Sequence, residues 1–167
     1  MQLPIVLVGP MGAGKTTLGK KLAKLLSIEF ADTDKIIAKQ HGPIPVIFEK
    51  FGESHFRDLE TAALKGVLHK QAVVATGGGI ILQQENRDLL SQANVIFLDS
   101  ASKHVLPKLN TDKRPLLREN PAIWDEIYSA RLPLYKEVAK STLFTGGKPV
   151  SVALQELEKL VKKDSHD

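Results

Sequence analysis

The sequence predicts an α/β fold in three layers, with helices on both faces of a five-stranded parallel sheet. Apolar runs that end in Gly or Asp alternate with segments of helical period, the pattern of parallel strands joined by crossover helices. A glycine-rich loop, "GPMGAGKT", separates the first apolar run from the first helical segment. The chain has 167 residues, enough for one domain that buries about two thirds of its unfolded surface.

Strands are expected at 4–8, ending at the glycine loop, and at 28–31, ending at "DTD". Further strands are expected at 72–76 before "GGG", at 94–98 before Asp99, and at 142–144 before "TGG". Helical period places helices at 15–26, 35–41, 54–69, 85–92, 102–109, 121–129 and 150–163. In the last of these Val150, Ala153, Leu154, Leu157, Leu160 and Val161 share one face, so it reads as a closing helix packed on the core. No repeat, low-complexity tract or linker divides residues 1–167. The breaker-rich stretch "NTDKRPLLREN", residues 110–120, reads as a mobile loop.

Composition narrows the chemistry. The chain has no cysteine, which excludes thiolate nucleophiles and cysteine zinc sites and suits a reducing cytosol. No apolar run approaches the roughly 18 residues of a membrane span, and no basic leader precedes the first strand. The expectation is a cytoplasmic protein. A net charge of +4, spread along the chain without interleaved aromatics, fits an anionic small ligand and gives no nucleic-acid footprint. His41, His55, His69, His104 and His166 show no ligand spacing.

"GPMGAGKT" matches G-x-x-x-x-G-K-S/T and sits between strand and helix, as a phosphate-binding P-loop must. Its glycines let backbone N–H groups converge on phosphate oxygens, and the helix N-terminus adds its positive dipole end. The predicted nucleotide-binding set is Gly9, Gly12, Ala13, Gly14, Lys15, Thr16 and Thr17, with Lys15 on the β- and γ-phosphates and the Thr16 hydroxyl on Mg2+. A P-loop fold is the expectation.

Asp32 and Asp34 stand two apart at the end of the second strand, where an i, i+2 pair in extended chain projects to one face. Both would point into the crevice beyond the strand ends. Either could instead cap the following helix. Arg57 and Glu60, i and i+3 on a helix, have as their plain meaning a surface ion pair. Trp124 and Tyr128, i and i+4, read as a packing pair.

Taken in order, "GPMGAGKT", "ADTD", "IFEKFGESHFRDLE", "ATGGG", "KRPLL" and "RLPLY" closely resemble the shikimate kinase family over residues 6 to about 138. The resemblance implies phosphorylation of the 3-hydroxyl of shikimate by MgATP in aromatic amino-acid biosynthesis, by a monomer with a lid near 110–120 and an acceptor-binding segment near 33–61. It implies that Asp34 binds and orients the acceptor hydroxyl and that Asp32 holds Mg2+ through water. Arg57 and Arg131 would clamp the substrate carboxylate, with Glu60 orienting Arg57. Arg114 would swing over the transferring phosphate. Gly77, Gly78 and Gly79 would bring backbone N–H groups to the acceptor without an obstructing side chain.

By the same resemblance Asp99, a Walker B match on pattern alone, lies on the wrong strand and reads as a cap before 100–102. Pro43 replaces a capping serine, with Pro45 able to begin the helix. Pro107 stands where the family carries an adenine-stacking arginine, and Lys108 beside it is no stacking plane. Backbone at 145–150 is then expected to hold the base, with loose base selectivity. Two other readings remain open at this point: a kinase for another small polyol acid such as gluconate, and a non-catalytic nucleotide-binding module, although the chain has no N-K-x-D or D-x-x-G segment.

Overall fold

The structure, a computed structural model, describes residues 1–109, 117 and 119–163. Arg114 and most of the expected lid lie outside the described residues. Five parallel strands, β1 (Ile5–Val8), β2 (Glu29–Asp32), β3 (Ala72–Ala75), β4 (Asn94–Asp99) and β5 (Ser141–Phe144), pair in the order β2-β3-β1-β4-β5. The helices are α1 (Lys15–Leu26), α2 (Thr33–His41), α3 (Ile44–Val67), α4 (Gln84–Leu90), α5 (Ser102–Val105), α6 (Ile123–Val138) and α7 (Val150–Lys163), with a 3-10 turn at Leu106–Lys108 after α5. Every expected strand is present to within a few residues at its ends.

Period-two alternation divides the core between the faces of the sheet. Ile5 and Leu7 face Leu18, Leu22 and Leu157, while Val6 and Val8 face Leu64, Ile80, Ile81 and Tyr135, all buried. Helices therefore cover both sides, as a parallel sheet requires. On α7 Ala153, Leu157 and Val161 are buried as expected, but Val150 at the helix start is exposed.

Two helices run beyond their expected limits. The segment expected from residue 54 begins at Ile44, with Pro43 at its N-cap and no side-chain cap, and breaks at Gly52 (φ 83°, ψ 173°). The break divides the segment into two helical pieces, so no single helical period runs through it. The helix expected to stop at residue 129 continues to Val138 through Pro133. Pro133 cannot donate to Ser129 and disfavours helix at the residue before it. Burial of Tyr135 and Val138 against β4 and its neighbours outweighs that local cost.

Among the described residues no helix is long and apolar enough to cross a membrane. Leu22, fully buried between α1 and the sheet, is a direct test of this packing. Leu22→Ala is expected to lower unfolding free energy by about 2–5 kcal/mol in urea titrations, leaving the far-ultraviolet spectrum of the folded protein unchanged.

Candidate active site

Parallel pairing sets Leu7 opposite Ala75 in β1 and β3, and Asp32 opposite Ala75 in β2 and β3. The chain ends of three neighbouring strands are thereby level, and the loops that leave them meet. Thr76 reinforces the junction by donating both its N–H (3.3 Å) and its hydroxyl (2.8 Å) to Leu7 O. The P-loop and the triple-glycine turn are consequently neighbours, with Gly9 O 3.6 Å from where a Cβ on Gly78 would lie.

In the P-loop Gly9, Gly12 and Gly14 have φ of 146°, 87° and 96°. A Cβ on Gly9 would overlap the carbonyl oxygen of Leu98, so the loop turns this tightly only without a side chain there. The Lys15 ammonium donates to the carbonyls of Gly9 and Pro10, the latter at 3.1 Å. Desolvation lowers its pKa to about 8, with Asp34 pulling the other way. The Thr16 hydroxyl donates to Asp32 Oδ2 at 3.0 Å, and Asp32 Oδ1 accepts from Lys35 N at 3.2 Å as the N-cap of α2. Asp32 therefore caps α2 with one carboxylate oxygen and accepts the Thr16 hydroxyl with the other.

Asp34 reaches the site by a different route from the expected one. It lies in the first turn of α2, not in extended chain, because Asp32 already caps the helix that begins at Thr33. Both aspartates nonetheless line one crevice with Met11 to Thr17 and Thr76 to Gly78. Asp34 Oδ1 is buried without a hydrogen-bond partner. Desolvation, reinforced by Asp32, raises the Asp34 pKa above the usual carboxylate value against the pull of Lys15 and Arg57.

Three consecutive glycines each face one predicted acceptor residue. A Cβ on Gly77 would come within 2.7 Å of Asp34 Oδ1, and one on Gly78 within 3.3 Å of Arg131 Nη1, from α6. A Cβ on Gly79 would overlap the Arg57 guanidinium, from α3. The glycines thus make room for the site's own side chains as well as for whatever binds there. Arg57 and Glu60 are not a surface pair: their side chains are 11% and 1% exposed, joined at 3.0 Å. Glu60 Oε2 is buried and unpartnered, and burial raises the Glu60 pKa to about 7 despite the Arg57 charge.

A second cavity lies on the other flank of the P-loop. Gly12, Ala13 and Thr17 line one side of it, and His104, Lys108 and the turn at 145–148 line the other. The Thr145 hydroxyl ties that turn to the loop, donating to Ala13 O at 2.7 Å. The turn within 145–150 thus borders a cavity beside the P-loop.

Several contributors escaped sequence reasoning. Tyr135 donates to Gly78 O at 2.6 Å, and Glu53 accepts from Arg57 Nη2 at 3.3 Å. His104 lies edge-on to Phe144 at 6.1 Å and against Gly146 and Gly147, a placement that no metal-ligand spacing could signal. The Trp124 and Tyr128 rings stack at 5.2 Å as expected, but each also donates a hydrogen bond, Trp124 Nε1 to Met11 O (3.1 Å) and Tyr128 to Asp99 Oδ1 (2.7 Å). Asp99 caps no helix. It accepts from its neighbour Ser100 N at 2.8 Å, while Ala101 occupies the N-cap of α5.

With this geometry in place, comparison with known proteins is specific. The family model described as "Shikimate kinase" matches residues 11–162. A shikimate kinase from Thioalkalivibrio sulfidiphilus is 41% identical over 169 residues, covering 98% of this chain and 89% of that protein. One from Psychrobacter cryohalolentis is 47% identical over 152 residues, covering 87% and 82%. A solved structure of shikimate kinase from Acinetobacter baumannii in complex with shikimate superposes with a TM-score of 0.89 at 43% identity, covering 96% of this chain and 93% of that one.

Glu60 gives the site a measurable pH signature. A carboxyl raised from 4.5 to about 7 in the folded state contributes stability that is full below 4.5 and lost as pH rises through about 7. Wild type should therefore lose stability relative to Glu60→Gln across that window, read from urea midpoints. A pH-independent difference between the two would show that Glu60 is not the titrating group.

Proposed function

The chain belongs to the shikimate kinase family, and from that premise we propose that it transfers the terminal phosphoryl group of MgATP to the 3-hydroxyl of shikimate. It is an ATP-dependent kinase, a phosphotransferase with an alcohol acceptor. The observation that supports the residue assignment is the facing of Asp34, Arg131 and Arg57 onto Gly77, Gly78 and Gly79 beside the P-loop. A carboxylate and two guanidiniums then surround one small volume. That set suits an acceptor with hydroxyls at one end and a carboxylate at the other.

Arg57 and Arg131 hold the shikimate carboxylate in this reading, and Glu60 and Glu53 fix Arg57 in place. Asp34 accepts from the reacting hydroxyl, and its raised pKa makes it a better proton acceptor than an ordinary carboxylate. Lys15, drawn toward phosphate from the carbonyls it now bonds, neutralises charge on the β- and γ-phosphates, with Arg114 closing from the lid. Thr16 and Asp32 fit Mg2+: their oxygens are 3.0 Å apart, hard donors that leave further positions to water and phosphate. Held by these residues, the ion would offset the charge of the phosphates. Catalysis is then positioning plus charge neutralisation. A single domain, a monomeric state and a cytoplasmic location belong to the same proposal.

ADP release from MgATP should depend on shikimate, and not on gluconate, quinate or nucleoside monophosphates. Asp34→Asn should lower kcat by about 10²–10⁴-fold. Arg131→Ala should lower kcat/KM for shikimate by roughly 10–100-fold, the loss of a charge-assisted contact. Turnover with another acceptor would keep the kinase and sink the substrate assignment. The base flank generates a separate expectation. Among its described lining residues there is no arginine, and His104 is the one aromatic ring, so turnover constants for ATP and GTP should be comparable. Strong ATP preference with low-micromolar affinity would reject that.

A further inference from the structure

The glycine turn has six successive carbonyls, and the protein occupies all of them. Gly77 O accepts from Ile80 N and Gly79 O from Leu82 N, each at 3.1 Å. Ile80 O accepts from Asn86 Nδ2 at 2.9 Å, while Ile81 O and Leu82 O accept from Arg87 Nη1 at 2.7 and 3.1 Å. The remaining carbonyl, that of Gly78, is held by the Tyr135 hydroxyl at 2.6 Å. The N–H groups of Gly77, Gly78 and Gly79, by contrast, have no acceptor among the described residues.

We infer that Tyr135 is a positioning residue for the acceptor site, fixing through its hydroxyl the peptide plane that joins Gly78 to Gly79. In a trans peptide the C=O and the following N–H point in opposite directions. Holding Gly78 O therefore directs Gly79 N–H away from the Tyr135 ring. Glycine peptides reorient with little steric penalty, and the neighbouring carbonyls are held by the turn itself. Gly78 O has a side chain and nothing else to hold it.

Tyr135 is itself well fixed. It is fully buried, and its ring stacks on Phe97 with centroids 5.0 Å apart. It follows Arg131 by one helical turn on α6, so one face of that helix presents both a guanidinium and a hydroxyl to Gly78. Burial pushes the phenol up to about 12 against the pull of Arg131, so the hydroxyl keeps its proton throughout the neutral range. Tyr135 acts on the acceptor through the glycine peptide, and its hydroxyl also lies beside the Arg131 guanidinium.

The inference rests on the acceptor assignment above for its kinetic consequence, but its structural claim can be read without any acceptor. Tyr135→Phe keeps the ring and removes the hydroxyl. In glycine-labelled protein it should shift and broaden the amide resonances of Gly78 and Gly79 relative to the other glycines. In steady-state assays it should raise KM for shikimate about tenfold, the loss of one hydrogen bond, with kcat and KM for MgATP unchanged. Phe97→Leu, which loosens the stack but keeps the hydroxyl, should lower the melting temperature and leave KM for shikimate near wild type. Unchanged glycine resonances in Tyr135→Phe, an unchanged KM for shikimate, or an equal rise in both KM values would overturn the inference. Wild-type protein that does not turn over shikimate would instead sink the acceptor assignment, with the resonances still deciding the role of Tyr135.

Discussion

Pairing of β1 with β3 is the constraint on which the site depends. Because Leu7 is registered with Ala75, the P-loop after β1 and the glycine turn after β3 leave the sheet side by side. β3 is buried on both faces, so apolar patterning alone does not fix this register, and Thr76 reinforces it by donating its N–H and its hydroxyl to Leu7 O. Two hydrogen bonds at the end of a four-residue strand thereby help to hold the phosphate-binding loop beside the glycine turn. The crevice is at the carboxyl ends of the strands, where strand order leaves loops diverging and a ligand can enter.

That crevice concentrates charge. Lys15, Arg57 and Arg131 alternate with Asp32, Asp34 and Glu60 around it, and most of them are buried or half-buried. Burial disfavours every ionised form, which is why Lys15 is lowered while Asp34 and Glu60 are raised. Desolvation is the first cause in all three. The pairings moderate it without cancelling it, since Asp34 Oδ1 and Glu60 Oε2 remain unpartnered. Such groups gain from a ligand that supplies hydroxyl donors, so the polar cost carried by the folded protein is also a source of binding free energy.

The strands and the P-loop were legible in sequence because each depends on local pattern or on motif spacing, whereas Arg57, Arg131 and the three glycines were grouped only by the family resemblance. Asp34 was placed in the site by the wrong local geometry, since nothing in "ADTD" alone says that the cap falls on Asp32 and not two residues later. The run of α6 through Pro133 was not legible, because tertiary burial of Tyr135 overrides a local breaker. The same burial hid Tyr135 itself. Its contact with Gly78 spans 57 residues, and an aromatic in a helical pattern carries no sign of whether its hydroxyl meets solvent or a backbone carbonyl. Glu60 shows the converse error of scale: the i, i+3 spacing gave its partner, but only the fold shows that the pair is buried.

The two flanks of the P-loop are built on different principles. On one flank, charged side chains from α2, α3 and α6 converge on three glycines, and side-chain bonds to the carbonyls of Gly78, Ile80 and Ile81 hold the turn in place. On the other flank glycine and alanine backbone is joined by Leu18, Lys108 and Lys148, with the turn pinned by the Thr145 hydroxyl and bordered by the His104 ring. Discrimination by unsatisfied buried polar groups is much stronger than discrimination by shape against a mostly apolar or backbone wall. On the proposed assignments, the acceptor is selected through side-chain chemistry and the nucleotide is recognised chiefly through its phosphates.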